Sequence, residues 1–120
     1  SALDCIRELR ERYSNDLTID DKGHKFNTDL MEAWELGCLL DLAEATTVAA
    51  INRTESRGGH SREDYKERDD ENWLVHSLIT RKTDEPYPKQ APALDINTKK
   101  KVDMSLAEVD ERFIPKVRTY

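Results

Sequence analysis

LMEAWELGCLLDLAEATTVAAIN, residues 30–52, is the stretch of this sequence that decides its fold. It contains no proline, so a helix can run through it for about six turns. Just before it, Asn27 or Thr28 offers the side-chain oxygen that caps a helix N-terminus, and Asp29 favours the positive end of the helix dipole. The sequence therefore predicts a long helix over residues 28–53.

The apolar residues of this helix do not keep to one face. They go most of the way round it and include Leu30, Met31, Trp34, Leu36, Leu39, Leu40, Leu42, Val48 and Ile51. A helix that is apolar nearly all round is buried on several sides. Gly37 costs about 1 kcal/mol against alanine inside a helix, so its presence predicts a close backbone approach. We expect an exposed apolar patch that includes Trp34, Leu36 and Leu40, because the chain holds too little other helix to cover it.

Upstream, residues 2–14 place Leu3, Ile6, Leu9 and Tyr13 at helical spacing between charged side chains. The sequence predicts a second, amphipathic helix there. The predicted fold class is therefore mainly α, a helical bundle, with its helices in residues 1–53.

Downstream, residues 54–72 form a charged loop in which Tyr65 is the only large apolar residue. Gly58 and Gly59 allow a sharp turn after the long helix, because glycine adopts positive φ without strain. An ordinary reading of such a segment is a solvated charged loop. His60 lies among charged neighbours, but acid–base chemistry needs a group positioned in a pocket.

The last third, residues 73–120, predicts a small antiparallel β pair and an extended tail. Apolar and polar side chains alternate over residues 73–80 and again over 101–107. The connection between them, residues 82–101, is long and proline-containing, which is unusual for a structural loop. Pro115 disfavours helix in the tail.

Composition excludes several classes of function. The net charge of −6 leaves no basic face for the phosphate backbone, which argues against a nucleic-acid partner. No apolar run approaches the length of a membrane span, so we expect no direct membrane insertion. Cys5 and Cys38 lack the paired spacing of a metal site and predict no bound metal. The chain is 37% charged, with a mean hydropathy of −0.83, which indicates a thin core or support from a neighbouring domain.

Taken in order, several motifs resemble one family. They are ESRG at 55–58, His60, REDY at 62–65 and RDDENW at 68–73, preceded by NTDL at 27–30. Together they are similar to the closing part of the flavoprotein subunit of succinate dehydrogenases and fumarate reductases. L-aspartate oxidases carry a segment similar to the first of these motifs and are an alternative, but REDY and RDDENW favour the succinate/fumarate branch.

The resemblance implies a spectrin-repeat-like C-terminal helical domain, which we expect to be truncated at its N-terminus. In such flavoproteins, succinate and fumarate are interconverted at a covalently bound FAD, and the flavin-binding and substrate-binding residues precede this region. The resemblance therefore implies FAD in the parent subunit, and no catalytic, cofactor-binding or metal residue within residues 1–120. Implied partners are the flavin-binding and capping domains of the same subunit and an iron–sulfur subunit. The implied location is the cytoplasmic side of the inner membrane or the mitochondrial matrix side.

The role of the charged loop is then interdomain contact, and the expected domain function is support of the FAD and substrate domains. The candidate contact residues are Glu55, Arg57, His60, Arg62, Glu63, Asp64 and Trp34. A charged cluster at a domain boundary can fix orientation even where its net stabilisation is small. Two other classes of function stay open at this point: a stand-alone helical adaptor, and a small enzyme or metal protein built on the histidine and acidic residues.

Overall fold

A computed structural model describes residues 1–82 and 94–116. The elements follow the order α1 (Ala2–Asp16), α2 (Thr28–Asn52), α3 (Asp70–Trp73), β1 (Val75–Arg81), β2 (Leu94–Lys101) and α4 (Ser105–Val109), followed by a 3-10 turn (Glu111–Phe113). The mainly α class with a small antiparallel β pair is confirmed.

Side chains that precede each long helix fix where it begins. The Ser1 side chain accepts a hydrogen bond from the Asp4 backbone N–H, and the Asp4 carboxylate bonds back, which forms a capping box. At α2, Asn27 Oδ1 accepts from the Leu30 N–H at 2.8 Å. Asn27 is therefore the cap, and both predicted helices are confirmed to within about two residues, the usual uncertainty of helix ends.

The two long helices pack against each other through a small, mixed contact. Leu40 of α2 is 7% exposed and Glu44 is 1% exposed. The Glu44 carboxylate pairs with Arg7 Nε at 3.1 Å and with Arg10 Nε at 3.3 Å, both from α1. Within the described residues, Leu40 and Trp73 are the buried hydrophobic side chains, so the core is as thin as the composition predicts.

Gly37 lies where α1 crosses α2. A Cβ added there would lie 2.6 Å from the Tyr13 hydroxyl oxygen and 2.9 Å from Tyr13 Cζ. The predicted close approach is confirmed, but the approaching group is an aromatic side chain, where the sequence predicted backbone. Glycine is therefore needed for the contact between the two helices.

We expect Gly37→Ala to destabilise the chain by a net amount of about 1 kcal/mol, because moving the Tyr13 ring out of its contact costs about 2 kcal/mol. This cost exceeds the gain of about 1 kcal/mol in helix propensity. Urea unfolding measures the change. In a Tyr13→Ala background the same substitution should stabilise, since nothing then opposes the propensity gain. A stabilising Gly37→Ala in the wild-type background would contradict the contact.

The opposite side of α2 is apolar and exposed. Met31 is 62% exposed, Trp34 57% and Leu42 65%. With Cys38 and Ala45, they recur at intervals of three and four residues, the spacing at which one helix packs against another. We call these five residues the α2 face. The predicted exposed patch is confirmed for Trp34 and Leu36, but the prediction is wrong for Leu40, which faces α1.

The β pair is confirmed, but its second strand was predicted in the wrong place. β1 pairs antiparallel with β2 from Val75 opposite Lys101 to Arg81 opposite Leu94, with an irregularity between Leu78 and Ile79. The second strand therefore lies inside the stretch predicted as a long connection. Three lysines at its end had hidden its strand character.

Of residues 101–107, predicted as the second strand, Lys101 ends β2, residues 102–104 are a connection, and residues 105–107 begin α4. Asp103 Oδ1 accepts a hydrogen bond from the Ser105 N–H at 2.9 Å and helps to turn the chain into that helix. Trp73, predicted in the first strand, ends α3, and residues 111–113 of the predicted extended tail form a 3-10 turn. The remaining predicted connection, residues 83–93, and residues 117–120 of the tail lie outside the described residues.

Candidate functional site

The charged loop is organised around one buried carboxylate. Glu55 is 0% exposed. Its Oε1 accepts from Arg57 Nε at 2.8 Å and from Arg53 Nη1. Its Oε2 accepts from Arg57 Nη2 at 3.0 Å and from the Asp69 backbone N–H at 2.9 Å. The carboxylate thus ties together the end of α2, the loop and the start of α3.

These contacts set the ionisation of the cluster. Burial alone would raise the pKa of Glu55, but the hydrogen bonds from Arg57, the Asp69 N–H and Arg53 outweigh it and lower that pKa below its ordinary value. The pKa of Arg57 is raised, chiefly by its hydrogen bond to Glu55 and further by Asp70. Glu55 is therefore ionised at neutral pH, and the cluster is held by charge-assisted hydrogen bonds.

Arg53 connects the loop to the β pair. Its guanidinium donates to the Trp73 carbonyl at 2.9 Å and to the Val75 carbonyl at 2.7 Å. It also lies 5.0 Å from the centre of the Trp73 ring, within cation–π distance. Trp73 is 5% exposed, and its indole N–H donates to Thr54 Oγ1 at 2.9 Å. The end of α2 is thereby fastened to the start of β1.

The Arg62 side chain caps the C-terminal end of α2. Its Nη1 donates to the Ile51 carbonyl at 2.8 Å and to the Arg53 carbonyl at 3.0 Å. A helix leaves its last carbonyls without partners, and a guanidinium is well suited to bind them. Asp64 pairs with Arg62 at 2.5 Å, and this hydrogen bond is the main reason that the pKa of Asp64 is lowered.

A tight turn at Gly58 shapes the outer side of the loop. The backbones of Arg57 and His60 exchange hydrogen bonds of 2.8 and 3.0 Å across it. Gly58 has φ +58°, a conformation that favours glycine, which confirms the prediction that one of the two glycines sets the turn. His60 Nε2 lies 3.4 Å from the Arg53 carbonyl oxygen, so this histidine ring lies against the backbone at the end of α2.

Outside this turn lies a cleft of about 850 Å³. It runs between the loop and the segment after the 3-10 turn. Its lining consists of residues 56–61, Lys66, Glu67, Arg68, Asp70, Pro115 and Lys116.

The candidate contact residues fall into three groups. Glu55 is buried and acts inside the loop. The side chains of Arg57, His60 and Arg62 are half-buried, while Glu63 and Asp64 are exposed. Trp34 is exposed on α2 and belongs to the α2 face, separate from the charged loop. The structure thus brings the six loop candidates together and leaves Trp34 apart from them.

Several residues of the cluster were missed from the sequence: Arg53, Thr54, Asp69, Asp70 and Trp73. Arg53 is the last residue of the predicted helix and Thr54 follows it, a place where residues that bind the last carbonyls and turn the chain are expected. Trp73 was a natural anchor by its size, but nothing in the sequence indicated its partner.

The described residues contain neither a glycine-rich turn that opens a helix nor a cluster of metal ligands. The neighbouring Gly58 and Gly59 follow α2 and open no helix, whereas a dinucleotide site needs a glycine-rich turn between a strand and a helix N-terminus. Over residues 1–82 and 94–116, no group of three or more histidine, cysteine or acidic side chains has the geometry to hold a metal. In the same part of the chain, no helix has both the length and the apolar character to cross a membrane.

The whole chain, residues 1–120, matches the family described as "Fumarate reductase flavoprotein C-term". The helical domain with its small β pair is thus of the class found at the C-terminal end of a flavoprotein. The chain belongs to the fumarate reductase flavoprotein C-terminal family. The resemblance to succinate dehydrogenase and fumarate reductase flavoprotein subunits is confirmed.

Individual relatives agree with this family. A fumarate reductase flavoprotein subunit of Haemophilus influenzae is 49% identical over 77 residues, which is 64% of this chain and 13% of that protein. A succinate dehydrogenase flavoprotein subunit of Rickettsia conorii is 51% identical over 73 residues, 61% of this chain and 12% of that protein. The chain therefore spans only 12–13% of the length of these relatives.

A solved structure has the same fold. A mutant of E. coli quinol fumarate reductase FrdA superposes with a TM-score of 0.68 at 37% identity, covering 83% of this chain and 16% of that chain. The helical domain described above is therefore similar to one part of a much larger flavoprotein.

Proposed function

We propose that this chain is the non-catalytic C-terminal domain of a flavoprotein that interconverts succinate and fumarate. In this proposal it packs on the FAD-binding and substrate-binding domains of the same subunit and supports them. The parent is an FAD-dependent succinate dehydrogenase or fumarate reductase, and the chain alone is inactive. The support for this proposal is the family match together with relatives that are several times longer than the chain.

The observation that carries the supporting role is the α2 face. Its large apolar side chains remain exposed although α1 already covers the opposite side of α2. An apolar face with helical packing spacing is costly to leave in water and is typical of a surface that meets another protein element. We infer that this face docks on the remainder of the flavoprotein.

The charged loop has a different part in the same proposal. Glu55 is buried and Arg62 binds the end of α2, so both act indirectly by holding the loop in shape. The exposed side chains of Glu63 and Asp64 and the half-buried side chains of Arg57 and His60 then form the surface that meets the neighbouring domain. On the separate α2 face, Trp34 is the apolar side chain that anchors the contact between this domain and the rest of the flavoprotein.

The assembly implied by this proposal includes an iron–sulfur subunit that accepts electrons from the flavin. Its location is the cytoplasmic side of a bacterial or archaeal inner membrane, or the matrix side of the mitochondrial inner membrane. In the proposal, the domain meets the membrane only through its partners.

The test is Trp34→Glu in a full-length flavoprotein subunit that contains this chain. A charge in a buried apolar contact is strongly unfavourable, so we expect the purified subunit to retain little flavin. The fraction that keeps flavin should turn over at a near-normal rate, because Trp34 has no part in the chemistry. Flavin absorbance per protein and turnover per bound flavin measure the two quantities separately.

Two controls make this test specific. In the 120-residue chain alone, Trp34→Glu should change the free energy of unfolding by less than about 1 kcal/mol, because the side chain is already exposed. Val109→Glu adds the same charge at an 82%-exposed apolar residue outside the α2 face, and it should leave flavin content unchanged. Full flavin content with a large fall in turnover would refute a purely supporting role.

A further inference from the structure

The cleft beside the Gly58 turn has an unusual charge for this chain. Its lining carries four lysine and arginine side chains, Arg57, Lys66, Arg68 and Lys116, against two carboxylates. The chain as a whole has a net charge of −6. A concentration of positive charge on an acidic protein is a feature of electrostatic recognition, because it selects partners of opposite sign.

The four cationic side chains of the cleft differ in whether a carboxylate of this chain already pairs with them. Asp70 pairs with Arg57 at 2.6 Å and with Arg68 at 2.7 Å. Within residues 1–82 and 94–116, no carboxylate lies within ion-pair distance of the ammonium groups of Lys66 and Lys116. These two lysines therefore provide the positive charge that is available to a partner.

The shape of the cleft indicates what kind of partner fits. The two lysines come from segments 50 residues apart, one in the charged loop and one after the 3-10 turn. At the turn between them, a side chain on Gly58 or Gly59 would meet no heavy atom within 4 Å. Open space with cations on separate segments suits an elongated polyanion better than one small anion, which needs donors that converge on a point.

We propose that this cleft binds an acidic, extended peptide segment, with aspartate or glutamate carboxylates paired to Lys66 and Lys116. An extended segment places successive side chains on opposite sides, so its carboxylates can reach cations on separate segments of the cleft. In the assembly such a segment belongs to a protein that contacts this domain. The assignment of the segment to a protein of the assembly rests on the proposed function, whereas binding of an acidic peptide by the cleft does not.

The experiment uses the ¹⁵N-labelled 120-residue chain and a capped eight-residue peptide of alternating glutamate and aspartate. Addition of the peptide should shift the amide signals of Gly58, Gly59 and Ser61. The double substitution Lys66→Glu and Lys116→Glu should weaken binding by roughly tenfold or more, since it replaces two attractions by two repulsions. Binding should also weaken as ionic strength rises, because exposed ion pairs are screened by salt.

Two matched controls accompany it. Lys25→Glu makes the same change of charge at an exposed lysine before α2, outside the cleft, and should alter the affinity by less than about twofold. A peptide with glutamine and asparagine in place of the acids should not bind. Both substituted lysines are exposed, so each variant should unfold like the wild type.

Several results would overturn the proposal. They are no shift of the named amides at millimolar peptide, equal binding of the neutral peptide, or equal weakening by Lys25→Glu. Tighter binding of inorganic pyrophosphate at the same amides would instead assign the cleft to small phosphate anions and also refute it. The result is separable from that of Trp34→Glu, which tests the α2 face by flavin content, so either proposal can fail alone.

Discussion

Replacement of Glu55 by alanine is expected to lower the free energy of unfolding by about 3 kcal/mol. The substitution leaves the Arg53 and Arg57 guanidiniums without their shared acceptor and deprives the Asp69 N–H of its partner. Removal of one member of a buried ion pair costs about 3–5 kcal/mol. We take the lower end because the side chains of Arg53 and Arg57 are 17% and 25% exposed and keep some contact with water.

Urea unfolding of the 120-residue chain measures this loss. Glu67→Ala is the matched control, because Glu67 is an exposed glutamate of the same loop. Its backbone carbonyl accepts a hydrogen bond from the Ser56 N–H, and the substitution keeps that bond. Removal of the Glu67 side chain should cost less than about 0.5 kcal/mol. Equal effects of the two substitutions would show that burial of Glu55 does not stabilise the loop.

The pH dependence gives an independent test of the same carboxylate. The pKa of Glu55 is lower in the folded chain than its ordinary value of 4.5, so folding favours the ionised form. Its contribution to stability is therefore fully present above pH 4.5 and is lost as the pH falls through the lower, folded pKa. The difference in unfolding free energy between wild type and Glu55→Gln should shrink over that acidic range. A difference that grows on acidification would contradict the assigned direction.

Trp73→Ala is expected to be the most destabilising single substitution, with a loss of about 4 kcal/mol. It empties the site of a side chain that is 5% exposed, and it removes both the cation–π contact with Arg53 and the hydrogen bond to Thr54. Because this side chain joins the end of α2 to the start of β1, its loss affects both. Thermal or urea unfolding measures the change.

Two further variants separate the parts of this effect. Trp73→Phe keeps most of the apolar volume but loses the indole N–H, so it should cost about 1–2 kcal/mol. Trp34→Ala truncates the other tryptophan, which is 57% exposed, and should cost about 1 kcal/mol or less. If the two alanine substitutions cost the same, Trp73 is not the anchor that its burial indicates.

The parts of the fold that follow from local pattern were predictable from the sequence. The absence of proline, the candidate caps Asn27 and Thr28 and the dense apolar residues are enough to predict α2, and the structure selects Asn27 as the cap. An exposed apolar patch on α2 that includes Trp34 and Leu36 followed from the same pattern, since a helix apolar nearly all round needs more cover than one amphipathic neighbour gives. The inward position of Leu40 did not follow, because the pattern cannot say which side α1 takes.

The misplaced strand has a physical reason. Residues 101–107 alternate apolar and polar side chains, but a strand also needs a partner in register, and β1 finds it in Leu94–Lys101. That stretch ends in three lysines, a composition that sequence reasoning assigns to loops. Strand pairing is decided by contacts between distant residues, which no local window contains.

The sequence identified the charged loop as a candidate site but did not predict which of its side chains are buried and hydrogen-bonded. The sequence identified Glu55, Arg57 and Arg62 as charges and left open which would be exposed. The structure buries Glu55 because an N–H from Asp69, 14 residues away, and two arginines converge on it. Such convergence depends on the turn at Gly58 and on the end of α2 together, so it becomes visible only in three dimensions.

Helix ends ordinarily fray, since their last carbonyls are bonded only to water. In this chain the Arg62 guanidinium holds the Ile51 and Arg53 carbonyls, while Arg53 in turn holds the carbonyls of Trp73 and Val75. The final turn of α2 therefore cannot open without release of the loop and the first residues of β1. We therefore expect these segments to form one cooperative unit of local unfolding, whose amide protons become accessible to solvent together.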